Sequence, residues 1–266
     1  QNGVLTARAR TLELRREKGN HFTLGMPKII DLSKIDVVLM RQDPPFDLSY
    51  ITATHLLDHI HPRTLVVNNP SSVRNSPEKL FATSFSNLMP PTIVTSDKER
   101  IKDFRNEYKD IIIKPLYGNG GAGVFHLSPK DDNLNTLLEI FTERSNEPVM
   151  VQAFISDVEK GDKRIILIDG KPAGAINRIP PSGDVRANMH AGGTPLKTTL
   201  TKRDIEICEI IGPELICRGL IFTGIDVIGE YLTEINVTSP TGIQEINRFD
   251  NIKLERHFWD SIEAKL

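Results

Sequence analysis

Asp226, Glu234 and Asn236 lie within one short stretch, Asp226-Val-Ile-Gly-Glu-Tyr-Leu-Thr-Glu234-Ile-Asn236, set among β-branched and apolar residues. Two carboxylates and an amide are hard donors, the set that holds a divalent cation against nucleotide phosphates. The same pattern also fits a half-buried hairpin whose polar residues face water, and on these residues alone both readings stand. The arithmetic of the turn separates them. A two-residue turn at Gly229-Glu230 would pair Ile228 with Tyr231 and send Asp226 and Glu234 to opposite faces, where they cannot share an ion. A connection of odd length, or a bulge, sets Asp226 opposite Glu234 with Asn236 on the same face.

Other segments carry complementary charge. Gly118-Asn-Gly120-Gly-Ala-Gly123 has the spacing of a dinucleotide fingerprint, which carries that meaning only between a strand and a helix. Here Val124-Phe-His-Leu127 has no helical period and no Gly-Lys-Ser/Thr closes a Walker loop. What remains is a glycine turn whose backbone amides cover phosphates, against a plain hairpin turn that would not need so many glycines. Lys114, just before it, is either a solvated strand end or a cation that neutralises phosphate. Lys163, Arg164, Arg178 and Arg186, with Asn188 and Gly192-Gly193, set cations on two strands and a long loop; guanidinium forks suit carboxylate and phosphoryl oxygens, and a salt-bridged surface is the alternative. Met40-Arg41-Gln-Asp43-Pro-Pro-Phe-Asp47 follows the C-terminal end of a strand, where open α/β sheets take ligands. A rigid loop carrying Arg41 and Asp43 suits a zwitterion of amino-acid type.

The elements that must position these groups read as follows. Residues 36–40 and 63–67 form buried parallel strands around an amphipathic stretch at 48–61, a βαβ pattern. Only two clear strands precede residue 70 and the chain has no capped beginning, so a first strand and helix of such a domain are expected to be missing. Ser76-Pro77-Glu78-Lys79 opens a helix to about Ser86, with Ser76 as cap and proline in the first turn. An α+β segment follows, with strands at 92–95, 111–114, 124–127 and 149–155 and helices at 98–108 and 133–144. The last portion has strands at 164–168 and 172–178, a polar loop at 180–195 long enough for a lid, a helix at 202–218, the acidic hairpin and a helix at 255–265.

With 39% hydrophobic and 26% charged residues among 266, the chain is a folded globular protein of one large or two to three small domains. A net charge of −2 gives no general attraction to nucleic acid or anionic lipid, so an anionic ligand must be met by local clusters of Arg and Lys. The longest apolar runs are strand-sized, short of the roughly 20 residues of a membrane span. Cys208 and Cys217 fall on opposite faces of a helical pattern and cannot bridge, which favours the cytoplasm.

Taken in order, these pieces resemble the ATP-grasp ligases, and among them the bacterial-type glutathione synthetases, along almost the full chain. The lysine and glycine-loop elements, in Asn75-Ser-Pro-Glu-Lys-Leu-Phe-Ala-Thr83 and Ile113-Lys-Pro-Leu-Tyr-Gly-Asn-Gly-Gly-Ala-Gly123, are general to ATP-grasp enzymes. Arg41-x-Asp-Pro-Pro-Phe-Asp47 and Glu234-Ile-Asn-Val-Thr-Ser-Pro-Thr241 are narrower, with Gly161-Asp-Lys-Arg164, Arg178-Ile-Pro180 and Ala191-Gly-Gly193 in support.

The resemblance implies an α/β (α+β) ATP-grasp fold: a Rossmann-like pre-ATP-grasp domain over 1–76, lacking its first strand and helix, a lid domain with the glycine loop over 77–155, and a catalytic domain over 156–266. It implies ligation of γ-glutamylcysteine to glycine through an acyl phosphate, with ATP as co-substrate and Mg²⁺ or Mn²⁺ on Asp226, Glu234 and Asn236. By the same resemblance Arg164 and Arg178 lie near the reacting groups. Lys79, Lys114, Tyr117, Gly118, Asn119, Gly120, Gly121 and Asp162 belong to the nucleotide site, and Gln152, Ala153, Phe154 and Ile155 to a hinge that reads adenine. Arg41 and Asp43 match the dipeptide loop, Arg186, Asn188, Gly192 and Gly193 the mobile loop, and Ser239, Pro240 and Thr241 the second-substrate side. The implied partners are small molecules, not nucleic acid or membrane, and the implied assembly is a homo-oligomer, commonly a tetramer. Gln42 and Thr194 depart from basic residues of some relatives. The alternatives are another ATP-grasp carboxylate–amine ligase, of the D-alanine-D-alanine or glutamate-adding kind, and an ATP-binding module without catalysis.

Overall fold

A computed structural model describes residues 3–17, 19–144 and 147–266. It opens with a hairpin, β1 (Thr6–Leu14) and β2 (Phe22–Asp31), paired antiparallel from Thr6↔Asp31 to Leu14↔Phe22. Among the described residues four strands, rather than the two expected, therefore precede residue 70. The far end of the hairpin is exposed on both faces, so its sequence shows no alternation between core and solvent to read.

The expected βαβ unit is present: β3 (Val37–Leu39) and β4 (Leu65–Val67) pair in parallel across α1 (Leu48–Asp58), which Asp47 caps by accepting from the Tyr50 amide at 2.9 Å. Next comes α2 (Pro70–Arg74), capped by Asn69 and too short to show a period. The helix expected at 76–86 is only α3 (Glu78–Ala82), continued by a tighter 3₁₀ segment, Thr83–Leu88. Ser76 is not its cap; Pro77 holds that position without a side-chain bond.

β5 (Thr92–Thr95), α4 (Lys98–Tyr108), β6 (Ile111–Pro115), β7 (Phe125–Leu127), α5 (Leu134–Arg144) and β8 (Val149–Ala153) build an antiparallel sheet of order β5-β8-β6-β7 with its own core. Ile101 and Phe104 from α4 and Leu134, Leu137 and Leu138 from α5 pack on Ile111, Ile113 and Val151.

A five-stranded antiparallel sheet follows, in the order β11-β10-β9-β12-β13. Its strands and helices are β9 (Asp162–Ile168), β10 (Lys171–Ile179), β11 (Thr194–Lys197), α6 (Lys202–Cys217), β12 (Phe222–Ile228), β13 (Tyr231–Asn236), α7 (Ile243–Asp250) and α8 (Leu254–Glu263). The edge strand β11 occupies the end of what the sequence suggested was loop, and its proline is tolerated because an edge needs fewer ladder donors. α7 was also not anticipated.

Both faces of β9 are covered, and the two-residue period sorts its apolar run into two cores. Ile165 and Leu167 join Tyr50, Phe81, Ile207, Ile211 and Leu215, so the βαβ unit, α3 and α6 share one cluster with this sheet. Ile166 and Ile168 turn to Ile246, Leu254, Phe258 and Ile262 on α7 and α8. Cys208 is buried in α6 and Cys217 is exposed, unbridged as expected.

A buried amide ties the parallel strands to the catalytic sheet. Asn68, just past β4, donates from Nδ2 to the carbonyls of Phe222 (2.7 Å) and Val237 (2.8 Å) and accepts at Oδ1 from the Phe222 amide (2.8 Å). It thereby holds the ends of both β12 and β13. Asn68→Ala strands these backbone groups and is expected to cost about 2–4 kcal/mol, read as a lower urea midpoint with an unchanged slope; a loss below about 0.5 kcal/mol would show that water replaces the amide freely.

Candidate active site

The acidic hairpin resolves the parity question through a bulge, one of the two routes its sequence allowed. A two-residue turn at Gly229-Glu230, with Gly229 at φ +59°, pairs Ile228 with Tyr231 and Val227 with Leu232. Thr233 is then an extra residue, and beyond it Asp226 faces Glu234 and Gly224 faces Asn236. The even turn and the bulge occur together, and the bulge returns Asp226, Glu234 and Asn236 to one face. Thr233 secures it by donating its hydroxyl to the Asp226 carbonyl at 3.1 Å. Gly224 leaves the slot that Arg164 and Pro240 occupy; a Cβ there would lie 3.0 Å from Arg164 Cδ and 2.9 Å from Pro240 Cβ.

Strand register supplies the cations. Arg164 on β9 lies across from Asp226, and Arg178 on β10 across from Asp162. Arg164 grips Asp226 with Nε at 2.5 Å and Nη2 at 2.8 Å, while Arg178 Nη2 reaches Asp226 at 3.0 Å and Asp162 at 2.6 Å. All four side chains are buried. Burial alone would raise the Asp226 carboxyl, but the two guanidiniums hold it well below the usual carboxylate range. Asp162 goes the other way: burial pushes it up to about 6 against the pull of Arg178, and among the described residues its Oδ1 has no hydrogen-bond partner.

The second cationic arm comes from elsewhere in the chain. Lys79 from α3 and Lys114 from β6 point their ammonium groups at Glu234, at 3.6 and 3.8 Å, and Lys79 also donates to the Gly118 carbonyl at 2.7 Å. Burial pushes Lys114 down, with Glu234 opposing. Glu234 keeps 22% of its side chain open to the cavity.

These groups line one cavity of about 780 Å³, which also takes in Gly118, Asn119, Gly120 and Gly121, the strand-to-loop segment 152–155, Asp162, Arg186, Asn188, Asp43, Ser239 and Thr241. Arg186, paired with Asp184 at 2.7 Å, lies against Gly121, so the glycine turn and the 180–195 loop meet over it. Behind the 152–155 segment, His126 stacks on Phe154 at 4.1 Å and bonds Asp110 at 2.6 Å.

Five expected residues do not line this space. Arg41 lies behind it, donating to the Pro240 carbonyl at 3.2 Å and covering the Phe222 ring at 5.5 Å. Tyr117 stacks on Phe46 at 6.3 Å. Gly193 donates its amide back to Asn188 within the loop, next to Gly192. Conversely, Glu78 and Thr238 line the cavity, bonded to each other at 3.0 Å, without having been singled out. Both stood inside quoted motifs, but neither has spacing that announces a role.

A glycine turn on an antiparallel lid sheet, facing lysines, arginines and a three-oxygen strand face across one cleft, defines an ATP-grasp ligase. Solved neighbours agree on the fold: D-cycloserine synthetase DcsG superposes with TM-score 0.69 over 89% of this chain and 86% of its own at 14% identity. D-alanyl-alanine synthetase A from Vibrio cholerae reaches 0.64 over 96% and 83% at 13% identity.

The particular family follows from sequence. Residues 1–74 match the prokaryotic glutathione synthetase N-terminal domain and 78–251 its ATP-grasp domain. The glutathione synthetase of Brucella melitensis is 58% identical over 265 residues, and that of Mesorhizobium japonicum 57%; each alignment takes 100% of this chain and 85% of the relative. The chain belongs to the prokaryotic glutathione synthetases, ATP-dependent ligases that also use a divalent metal.

The carboxylates make stability depend on pH with a definite sign. Burial raises Glu78 from the ordinary 4.5 to about 7, and Glu234 nearby adds to the effect. Glu78 and Asp162 therefore bind more protons folded than unfolded, and the ligand-free protein loses stability as pH rises through the window from about 4 to 7. Asp226 acts oppositely, its contribution being lost only as pH falls toward its depressed folded value. Glu78→Gln is expected to stabilise the ligand-free protein by about 1–3 kcal/mol at pH 8 and by nothing near pH 4; calorimetric melts at both pH values check this.

Proposed function

We propose that this chain joins γ-glutamylcysteine to glycine, converting ATP to ADP and phosphate. The observation that carries this reading is the shared face of Asp226, Glu234 and Asn236 beside two buried arginines, in a chain 58% identical to a glutathione synthetase. Residues 1–76 would serve as the substrate-side unit, 77–155 as the nucleotide lid and 156–266 as the catalytic unit.

The donor set fits a divalent cation. Asn236 commits Nδ2 to the Gly224 carbonyl (3.2 Å) and to Asp226 (3.3 Å), which leaves its Oδ1 to accept, and Glu234 is open to the cavity. Asp226, Glu234 and Asn236 are the residues that would hold Mg²⁺ or Mn²⁺, since hard oxygen donors admit both. When bound, the cation neutralises phosphate charge during transfer.

The remaining work falls to the chain's own groups. Lys79 and Lys114 neutralise phosphate oxygens from the far side, and the amides of 118–121 cover them. The 152–155 segment reads the adenine edge. Arg164 and Arg178 steady the transferring phosphoryl group and the carboxylate that attacks it. An acyl phosphate results, which the glycine amine then attacks with release of phosphate. Arg186, Asn188, Gly192 and Gly193, with the glycine turn, keep water from that intermediate. Asp43 and Arg41 shape the dipeptide side, with Arg41 acting through the Pro240 carbonyl, and Ser239 to Thr241 the glycine side. The partners are small molecules, and no helix among the described residues is long and apolar enough to cross a membrane. The unbridged cysteines support a cytoplasmic setting. A homo-oligomer, a tetramer by resemblance, is supported by the bare face of Leu12, Leu14, Phe22 and Leu24 on the hairpin.

Two measurements test this. Protein with ATP, a divalent cation, γ-glutamylcysteine and glycine should release phosphate and form glutathione; turnover only with a different acid–amine pair would reassign the substrates. Glu234→Ala should lower kcat by about 10³-fold or more while shifting Tm by no more than about 2 °C; near-normal turnover would remove Glu234 from the metal site.

A further inference from the structure

The carboxylates around the cavity are not equivalent. Asp226 and Asp162 are held by arginines, Glu234 by two lysines, and Asp43 is exposed to solvent. Glu78 differs from all of these. It forms no ion pair among the described residues, because its neighbour Lys79 is turned to Glu234 and Gly118. Among the described residues, the only hydrogen bond of its side chain is the one its Oε1 accepts from the Thr238 hydroxyl at 3.0 Å.

Glu78 also lines both the main cavity and a small side chamber. The chamber is bounded by Tyr50, Phe46, Tyr117, Asn119 and Thr238, and shares Pro44, Glu78, Gly118, Asn119 and Thr238 with the cavity. Tyr50 lines it, and among the described residues its buried hydroxyl has no hydrogen-bond partner. An unpaired carboxylate and an unpartnered hydroxyl on one small chamber are each unfavourable in the empty protein, and one ligand group satisfies both. The chamber measures about 20 Å³, room for a single water-sized group and not for a whole amino acid. That group must donate several hydrogen bonds and carry positive charge. A phosphate oxygen is repelled there, and a terminal –NH₃⁺ matches in size, sign and donor count.

We propose that Glu78, with the Tyr50 and Thr238 hydroxyls, forms a subsite that binds the primary ammonium group of one of the two amino-acid substrates. The proposal rests on the ligase reading above, in which both substrates carry such a group: the γ-glutamyl end of the acid, and glycine. Glu78 is then a binding and positioning residue, retained at a cost to the ligand-free fold because the substrate supplies its missing cation.

Steady-state kinetics on the full chain tests this, with each substrate varied in turn for the unsubstituted enzyme, Glu78→Gln and Tyr50→Phe. Glutaryl-cysteine, which lacks the α-ammonium, serves as an alternative acid. Glu78→Gln should raise KM for one ammonium-bearing substrate by about tenfold or more, leave KM for ATP unchanged and change kcat less. Tyr50→Phe should raise the same KM by a smaller factor, and stands in if Glu78→Gln does not fold. If the group is the γ-glutamyl ammonium, the unsubstituted enzyme and Glu78→Gln use glutaryl-cysteine equally well. If it is glycine's, KM for glycine rises with either acid. Unchanged KM for both substrates, or an equal rise in KM for ATP, overturns the subsite while leaving the ligase reading in place. Failure of the unsubstituted enzyme to form glutathione overturns both.

Discussion

One extra residue decides which way the chemistry points. Side chains on a strand alternate, so after the two-residue turn at Gly229-Glu230 a regular ladder would set Thr233 opposite Asp226 and turn Glu234 and Asn236 to the far face. The bulge at Thr233 cancels that parity. Everything else about the site presupposes it: the lysines of α3 and β6 converge on Glu234, and Arg164 and Arg178 converge on Asp226, only because both acids stand on the face that the lid sheet covers. Thr233 also turns its own hydroxyl to the Asp226 carbonyl, so the irregular position is bonded where the ladder is interrupted.

The second constraint is electrostatic. Burying Asp162, Arg164, Arg178 and Asp226 together is tolerable because they neutralise one another through short contacts, the Arg164–Asp226 pair being bidentate. Removing a single member would leave an unpaired buried charge, which costs about 3–5 kcal/mol in comparable clusters. Such a cluster is a poor source of stability. It is a good way to hold fixed positive charge in a low-dielectric cleft, where it needs no reorganisation when a phosphoryl group transfers. The opposite arm, Lys79 and Lys114 on Glu234, is equally buried at its lysines but makes longer contacts, at 3.6 and 3.8 Å, and leaves Glu234 partly open to the cavity.

Much of this was legible in the sequence, and what was not has physical reasons. Asp226, Glu234 and Asn236 could be picked out because hard donors in apolar strand sequence are conspicuous, and the glycine turn because four glycines in six positions exceed what a hairpin needs. The resolution of the turn was not legible, since a bulge is set by pairing with a strand far along the chain. The β1–β2 hairpin escaped because neither face of its tip is buried, and α2, α7 and β11 because they are too short for periodicity to register. Ser76 looked like a cap, yet it is fully buried and the helix begins from Pro77 without one. Glu78 could not be found at all from spacing: its distinction is that it forms no ion pair among the described residues, which only the folded neighbourhood defines.

The account stands or falls on where a divalent ion sits. The most direct measurement is an anomalous difference map from crystals of the protein grown with Mn²⁺ and ADP. The geometry here predicts a single strong peak on the cavity side of β12 and β13, within coordination distance of Asp226, Glu234 and Asn236 oxygens, about 2.0–2.3 Å. A peak away from that face, or none beside Glu234 with nucleotide bound, would contradict it.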